Sequence, residues 1–133
     1  MKPIRQTITF KATPHDVYEM LMDSARHAEF TGDRAVISRK AGGTFSVFSG
    51  YATGKNLELI PDRRIVQTWR ASDWPDGHES QITFELREVK GGSRLTFTQT
   101  GVPDEFNAAI RQGWIDYYFA PMKRYFAAKG GKG

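Results

Sequence analysis

The 133-residue chain contains no cysteine. That excludes a disulfide framework, a thiolate zinc site, an iron–sulfur cluster and a cysteine nucleophile. It has no apolar run near the roughly 20 residues a bilayer-crossing helix needs, so no membrane span is expected. The opening stretch Met1-Lys2-Pro3-Ile4-Arg5-Gln6-Thr7 lacks the apolar centre of a signal peptide. These absences fit a cytoplasmic protein. No two of His15, His27 and His78 stand at i+2, i+3 or i+4, so a helical or hairpin metal site has no support. No Gly-x-Ser-x-Gly elbow and no dinucleotide-binding glycine fingerprint occur. Gly50-Tyr51-Ala52-Thr53-Gly54-Lys55-Asn56 is one residue short of a phosphate loop and has Asn56 where a magnesium-binding Ser or Thr must stand. The sequence therefore offers no catalytic residue, no metal and no cofactor, and an enzyme is the least favoured class.

Charge of one sign is only slightly in excess. There are 19 Lys+Arg against 15 Asp+Glu, a net +4. The basic residues are scattered, with Arg39-Lys40, Arg63-Arg64 and Lys123-Arg124 the only adjacent pairs. This reads as an ordinary mixed surface rather than a phosphate-binding face, so no nucleic-acid partner is expected. Residues 129–133, Lys-Gly-Gly-Lys-Gly, read as a flexible tail, and residues 1–128 as one domain around one core.

What is present is periodicity. Ile4, Gln6, Ile8 and Phe10 alternate with Arg5, Thr7, Thr9 and Lys11, a half-buried strand. Thr13-Pro14-His15-Asp16 is a helix start: an N-cap, a proline at the first helical position and an acid facing the N-terminal dipole. Asp23-Ser24 offers a second cap, for a short helix over 25–30 that ends near Thr31-Gly32. Strands follow over 35–40, 44–49, 51–60, 64–71, 78–89 and 94–100, punctuated by Ala41-Gly42-Gly43, Pro61-Asp62, Ser72-Asp73-Trp74-Pro75-Asp76-Gly77 and Lys90-Gly91-Gly92-Ser93. The period then changes. Phe106, Ile110, Trp114, Tyr117, Tyr118, Met122 and Tyr125 recur at three and four, a helix over 105–127 about 35 Å long. Gly113 predicts a close approach to a neighbour, and Pro121 predicts a kink in the last turns. A run of antiparallel strands with segregated helices is an α+β fold, and the long helix must bury its apolar face on the sheet.

Several positions on the inner face are polar by strand parity: Gln6, Gln67 and Gln99. Tyrosine hydroxyls on the helix are placed to meet them. Two arrangements fit: an apolar cavity with a few converging polar groups, or a closed hydrogen-bond network in a filled core. His78 reads as a loop-edge residue making surface hydrogen bonds, and Arg70 as a brace for the loop that follows it.

Residues 35–126 resemble the activator of heat-shock protein 90 ATPase homologue domain of the START-like superfamily. The resemblance runs through Gly42-Gly43-Thr44-Phe45-Ser46-Val47-Phe48, Gly54, Leu59-Ile60-Pro61, Ile65-Val66 and Trp69-Arg70. It continues through Trp74-Pro75-Asp76-Gly77-His78, Gly101-Val102-Pro103, Arg111-Gln112-Gly113-Trp114 and Tyr117-Tyr118-Phe119, and residues 3–34 match more loosely. It implies a helix-grip fold, a curved antiparallel sheet of about seven strands around the C-terminal helix, with two short helices after the first strand. It also implies that in eukaryotic activators this domain follows a separate N-terminal domain supplying much of the chaperone binding. A chain that starts at the first strand is expected to lack that part. Relatives in the wider superfamily bind lipids, hormones and polyketides, and some catalyse cyclisation.

Three functions follow in order. The first is binding of a small apolar or amphipathic molecule between sheet and helix. Phe45, Gln67, Trp69, Phe84, Phe97 and Gln99 are then expected on the sheet side of the site, and Ile110, Trp114, Tyr117 and Tyr118 on the helix side. The second is partnership with a chaperone protein. The third is a cyclase or hydrolase using the cavity. The chain is expected as a monomer or weak homodimer.

Overall fold

The structure, a computed structural model, describes residues 2–130. The alternating first segment forms β1 (Ile4–Phe10), with Ile4 and Phe10 buried. Thr13 caps α1 (Pro14–Met22), its hydroxyl accepting the Asp16 N–H at 3.1 Å. Asp23 ends α1 and caps α2 (Ser24–Thr31), accepting from the Arg26 N–H at 3.0 Å. Gly32, at φ +76°, closes α2 in the left-handed conformation that favours glycine.

Six strands follow: β2 (Val36–Ile37), β3 (Thr44–Val47), β4 (Ala52–Ile60), β5 (Arg64–Ala71), β6 (Ser80–Val89) and β7 (Gly92–Thr100). With β1 they form one seven-stranded antiparallel sheet in the order β1-β7-β6-β5-β4-β3-β2. Two strands are shorter than their patterns predict. Past Ile37 the chain gives the Ser38 and Lys40 carbonyls to the Asn56 amide instead of a ladder partner. Past Val47, Phe48 and Ser49 take φ of +53° and +55°, which no extended strand accommodates, and the chain turns through the short 3₁₀ segment Phe48–Gly50.

After the 3₁₀ turn Asp104–Phe106 the chain enters a long C-terminal helix. It comprises α3 (Asn107–Trp114), a π-helical turn (Ile115–Phe119) and α4 (Ala120–Gly130). The disturbance expected at Pro121 appears just ahead of it. Proline has no N–H for the Tyr117 carbonyl, and the helix widens there, with the Ala120 N–H reaching back five residues to the Ile115 carbonyl. α4 runs two residues into the segment read as a tail; the rest of that segment, 131–133, lies outside the described residues.

The sheet curves around this helix, the helix-grip arrangement. Trp114 packs on Phe97 at a ring separation of 4.3 Å and also meets Phe84 and Trp69, while Phe126 meets Phe10 at 5.7 Å. Helix and sheet are thus fastened at both ends of the core. Gly113 is not the point of close approach predicted for it. A β-carbon there meets only the edge of the Tyr117 ring, at 3.8 Å, because the residue faces a groove and not the sheet. Gly54 is a tight position: a β-carbon there lies 1.9 Å from the Thr68 carbonyl oxygen and 2.6 Å from the Phe45 ring.

Opposite outcomes are therefore expected from two glycine-to-alanine changes. Gly54→Ala loses about 3 kcal/mol or more, because the obstacle is backbone. Gly113→Ala gains up to about 1 kcal/mol from helix propensity. Urea unfolding of the two variants checks both signs.

Candidate functional site

The three glutamines predicted to point inward do so, and each is engaged by the protein. Gln99 is fully buried. It accepts the Trp114 indole N–H at 2.8 Å and donates to the Ser80 hydroxyl at 2.9 Å, and Ser80 donates to the Trp69 carbonyl at 2.8 Å. Gln67 donates to Asn56 Oδ1 at 2.9 Å. Gln6 donates to the Arg111 carbonyl at 3.0 Å, tying β1 to α3. Gln67 and Gln99 are thus taken up by hydrogen bonds inside the core, whereas Gln6 keeps a buried Oε1 with no partner among the described residues.

The tyrosine hydroxyls do not meet them. Tyr118 pairs instead with His27, which no sequence pattern singled out: His27 Nε2 lies 2.6 Å from the Tyr118 hydroxyl, and both residues are buried. The pair sits among Phe30 and Phe48, with ring separations of 5.1–6.1 Å from His27. Burial depresses the His27 pKa to about 4 and raises that of Tyr118, so both are neutral at pH 7. Two protons, one imidazole N–H and one phenolic O–H, share a single hydrogen bond, and His27 Nδ1 has no partner. In either tautomer one buried donor is left over among the described residues.

Two spaces adjoin this cluster. The inner one lies between sheet and helix and measures about 20 Å³, room for one water. Of the residues predicted to line a ligand site, Phe45, Gln67, Trp69, Phe84, Trp114 and Tyr118 border it, together with His27. The outer one is an open groove of about 450 Å³ beside α3. Trp69, Ile110, Trp114, Tyr117 and Tyr118 border that. Trp69, Trp114 and Tyr118 belong to both walls, so three aromatic side chains partition one region into two. Phe97 and Gln99 border neither: they lie behind Trp114, which packs on one and hydrogen-bonds the other. Tyr117 does not point inward. The π-turn leaves it 63% exposed, on the outer groove only.

The groove also takes residues that the sequence gave no role. Phe48 and Tyr51 come from the turn after β3, Asp33 from just past α2 and Asp73 from the loop after β5; Phe106, expected on the helix face, comes from the turn before α3. The local signal is that aromatics flank Ser49-Gly50, where the strands expected over 44–49 and 51–60 meet. The β5–β6 loop is held by Arg70, whose guanidinium donates to the carbonyls of Trp74, Pro75 and His78, the bracing role predicted for it. His78 donates to the Gly101 carbonyl at 2.7 Å. Among the described residues no three His, Asp or Glu side chains group as metal ligands, and no helix is long and apolar enough to cross a membrane.

A pH dependence follows from His27. Its folded-state pKa lies below the ordinary 6.5, so between pH 6.5 and about 4 the unfolded chain holds a proton that the folded chain does not. Stability from this group is complete above pH 6.5 and falls away as the pH drops toward 4, by about 3 kcal/mol in all. His15, exposed beside Asp62, is shifted the other way, and a difference measurement cancels it. Urea unfolding at pH 7, 5.5 and 4.5 is expected to show a steeper decline for the parent than for His27→Gln.

Comparison with known proteins agrees with this architecture. The family model described as Activator of Hsp90 ATPase homolog 1-like protein matches residues 11–127. An uncharacterized protein of Schizosaccharomyces pombe is 34% identical over 123 residues, covering 92% of this chain and 37% of that protein. The Homo sapiens protein named Activator of 90 kDa heat shock protein ATPase homolog 1 is 31% identical over 118 residues, 89% of this chain and 35% of that one. The chain thus spans about a third of the length of these curated relatives. A crystal structure described as an HSP90 activator from Plasmodium falciparum superposes with a TM-score of 0.88 at 23% identity, covering 96% of this chain and 97% of that chain, a likeness of fold. With nearly the whole described chain matched by the family model and the helix-grip architecture in place, the chain belongs to the Activator of Hsp90 ATPase homolog 1-like family.

Proposed function

We propose that this chain is a binding protein whose site is the open aromatic groove beside α3, and that it takes a small apolar or amphipathic molecule there. The observation that carries this reading is the contrast in size between the two spaces. An inner cavity of about 20 Å³ accepts no organic ligand, whereas about 450 Å³ lies within the ordinary range of small-molecule sites. The groove wall combines Trp69, Trp114, Tyr51 and Tyr117, large apolar surfaces with polar tips. The site thus sits outside the three-residue partition.

A second reading is partnership with the 90-kDa heat-shock chaperone. It is favoured by one observation: relatives matched over most of this chain, including the human one at 31% identity, bear the name of activators of that chaperone's ATPase. Groove and partner surface are compatible, since a groove that accepts a ligand also accepts a partner's side chain.

Native mass spectrometry of gently purified protein tests the first reading. The expected result is an excess mass released on denaturation, and a reduced excess in Ala109→Trp, which fills the groove from an exposed helical position. A ligand-free mass, with no uptake of a fluorescent apolar probe by the parent, overturns it. Mixing with purified chaperone tests the second. ATP turnover is expected to rise, and absence of both binding and rate change removes that reading.

A further inference from the structure

The chain carries a net charge of +4, but the groove does not share its sign. The carboxylates that border it are those of Asp33 and Asp73, and among the described residues no Lys, Arg or His borders it. Neither carboxylate has an ion-pair partner among the described residues. Asp33 accepts a 3.4 Å hydrogen bond from the Ser49 hydroxyl. Asp73 stands close enough to Tyr51 to act on its hydroxyl, whose pKa is raised first by burial and then by that charge. Arg70, three residues before Asp73 near the end of β5, has its guanidinium committed to three backbone carbonyls.

Aromatic rings line the same groove. Tyr51 meets Trp69 edge-on at 6.4 Å, and Phe48 meets Tyr117 at 6.3 Å. Tyr51 and Tyr117 are 41% and 63% exposed, so ring surface is available to a ligand. Aromatic faces present negative quadrupole to a cation, and carboxylates nearby add to the same preference. An anionic head meets the opposite field from both.

From this wall we infer that the groove's ligand is a small organic cation, an ammonium or quaternary ammonium carried on an apolar or aromatic body. The inference rests on the groove being the binding site. The apolar body lies over Trp69 and the α3 face, and the charged head lies toward Asp33 or Asp73 among the tyrosines. Fatty acids, phosphate esters and other anionic amphiphiles are selected against.

Three probes of nearly one shape test this on the full chain: benzyltrimethylammonium, its neutral carbon isostere neopentylbenzene, and benzylsulfonate. The readout is tryptophan fluorescence, because Trp69 and Trp114 border the groove. The cation is expected to bind at least about tenfold more tightly than the isostere, with the anion weakest. In the double variant Asp33→Asn, Asp73→Asn the ratio of cation to isostere affinity, both measured on that variant, is expected to shrink below about threefold. Equal or weaker binding of the cation, or a preference untouched by the double variant, overturns the cation assignment and leaves the groove reading standing. Failure of all three probes to bind, with Ala109→Trp behaving like the parent, removes both.

Discussion

The indole N–H of Trp114 is the constraint on which the rest of this fold depends. A tryptophan this deep must bury a large apolar ring and still satisfy one polar group. The ring does the first by packing against Phe97, Phe84 and Trp69. Gln99 does the second and passes the obligation to Ser80 and then to the Trp69 carbonyl. That chain links the helix to β7, β6 and β5 in turn. It fixes the height and rotation of the helix on the sheet, and it fills the space that a curved sheet around a single helix leaves open. Of the polar residues that might have oriented a ligand, Gln99 holds Trp114 and Gln67 holds Asn56.

Much of the architecture was legible because it is local. The alternation of β1, the caps Thr13 and Asp23 and the apolar face of the C-terminal helix all depend on residues within a turn or two of one another. What was not legible is long-range or conformational. His27 and Tyr118 are 91 residues apart, and neither has a neighbour in sequence that foretells the other. The end of β3 depends on two non-glycine residues adopting positive φ, which no residue type there announces. The face assigned to Tyr117 failed because periodicity assumes 3.6 residues per turn, and the π-turn breaks that count just before Pro121. Gly113 was misread for a related reason: a glycine in a helix signals room, and here the room belongs to a groove and not to a tightly packed neighbour.

The candidate site was half legible for the same reasons. The residues on strand and helix, Trp69, Ile110 and Trp114, follow from their periods. Those brought by turns, Phe48, Tyr51, Asp33 and Asp73, do not, and these are the ones that give the groove its rim and its charge. A rigid scaffold carrying a variable set of loop residues is the usual division of labour in binding folds. The matched region is about a third of the curated relatives' length, so this scaffold is a unit that longer chains also use.

The partition between the two spaces is made of side chains, not backbone. Trp69, Trp114 and Tyr118 border both the inner cavity and the groove. The volume between helix and sheet is therefore set by side chains, of which Trp114 also anchors the helix. Strand pairing, caps and the π-turn need not change for the internal volume to change; smaller residues at Trp69 or Tyr118 are enough to join the two compartments. Pocket depth in this chain is in this way a matter of which side chains stand between helix and sheet, with the backbone left as it is.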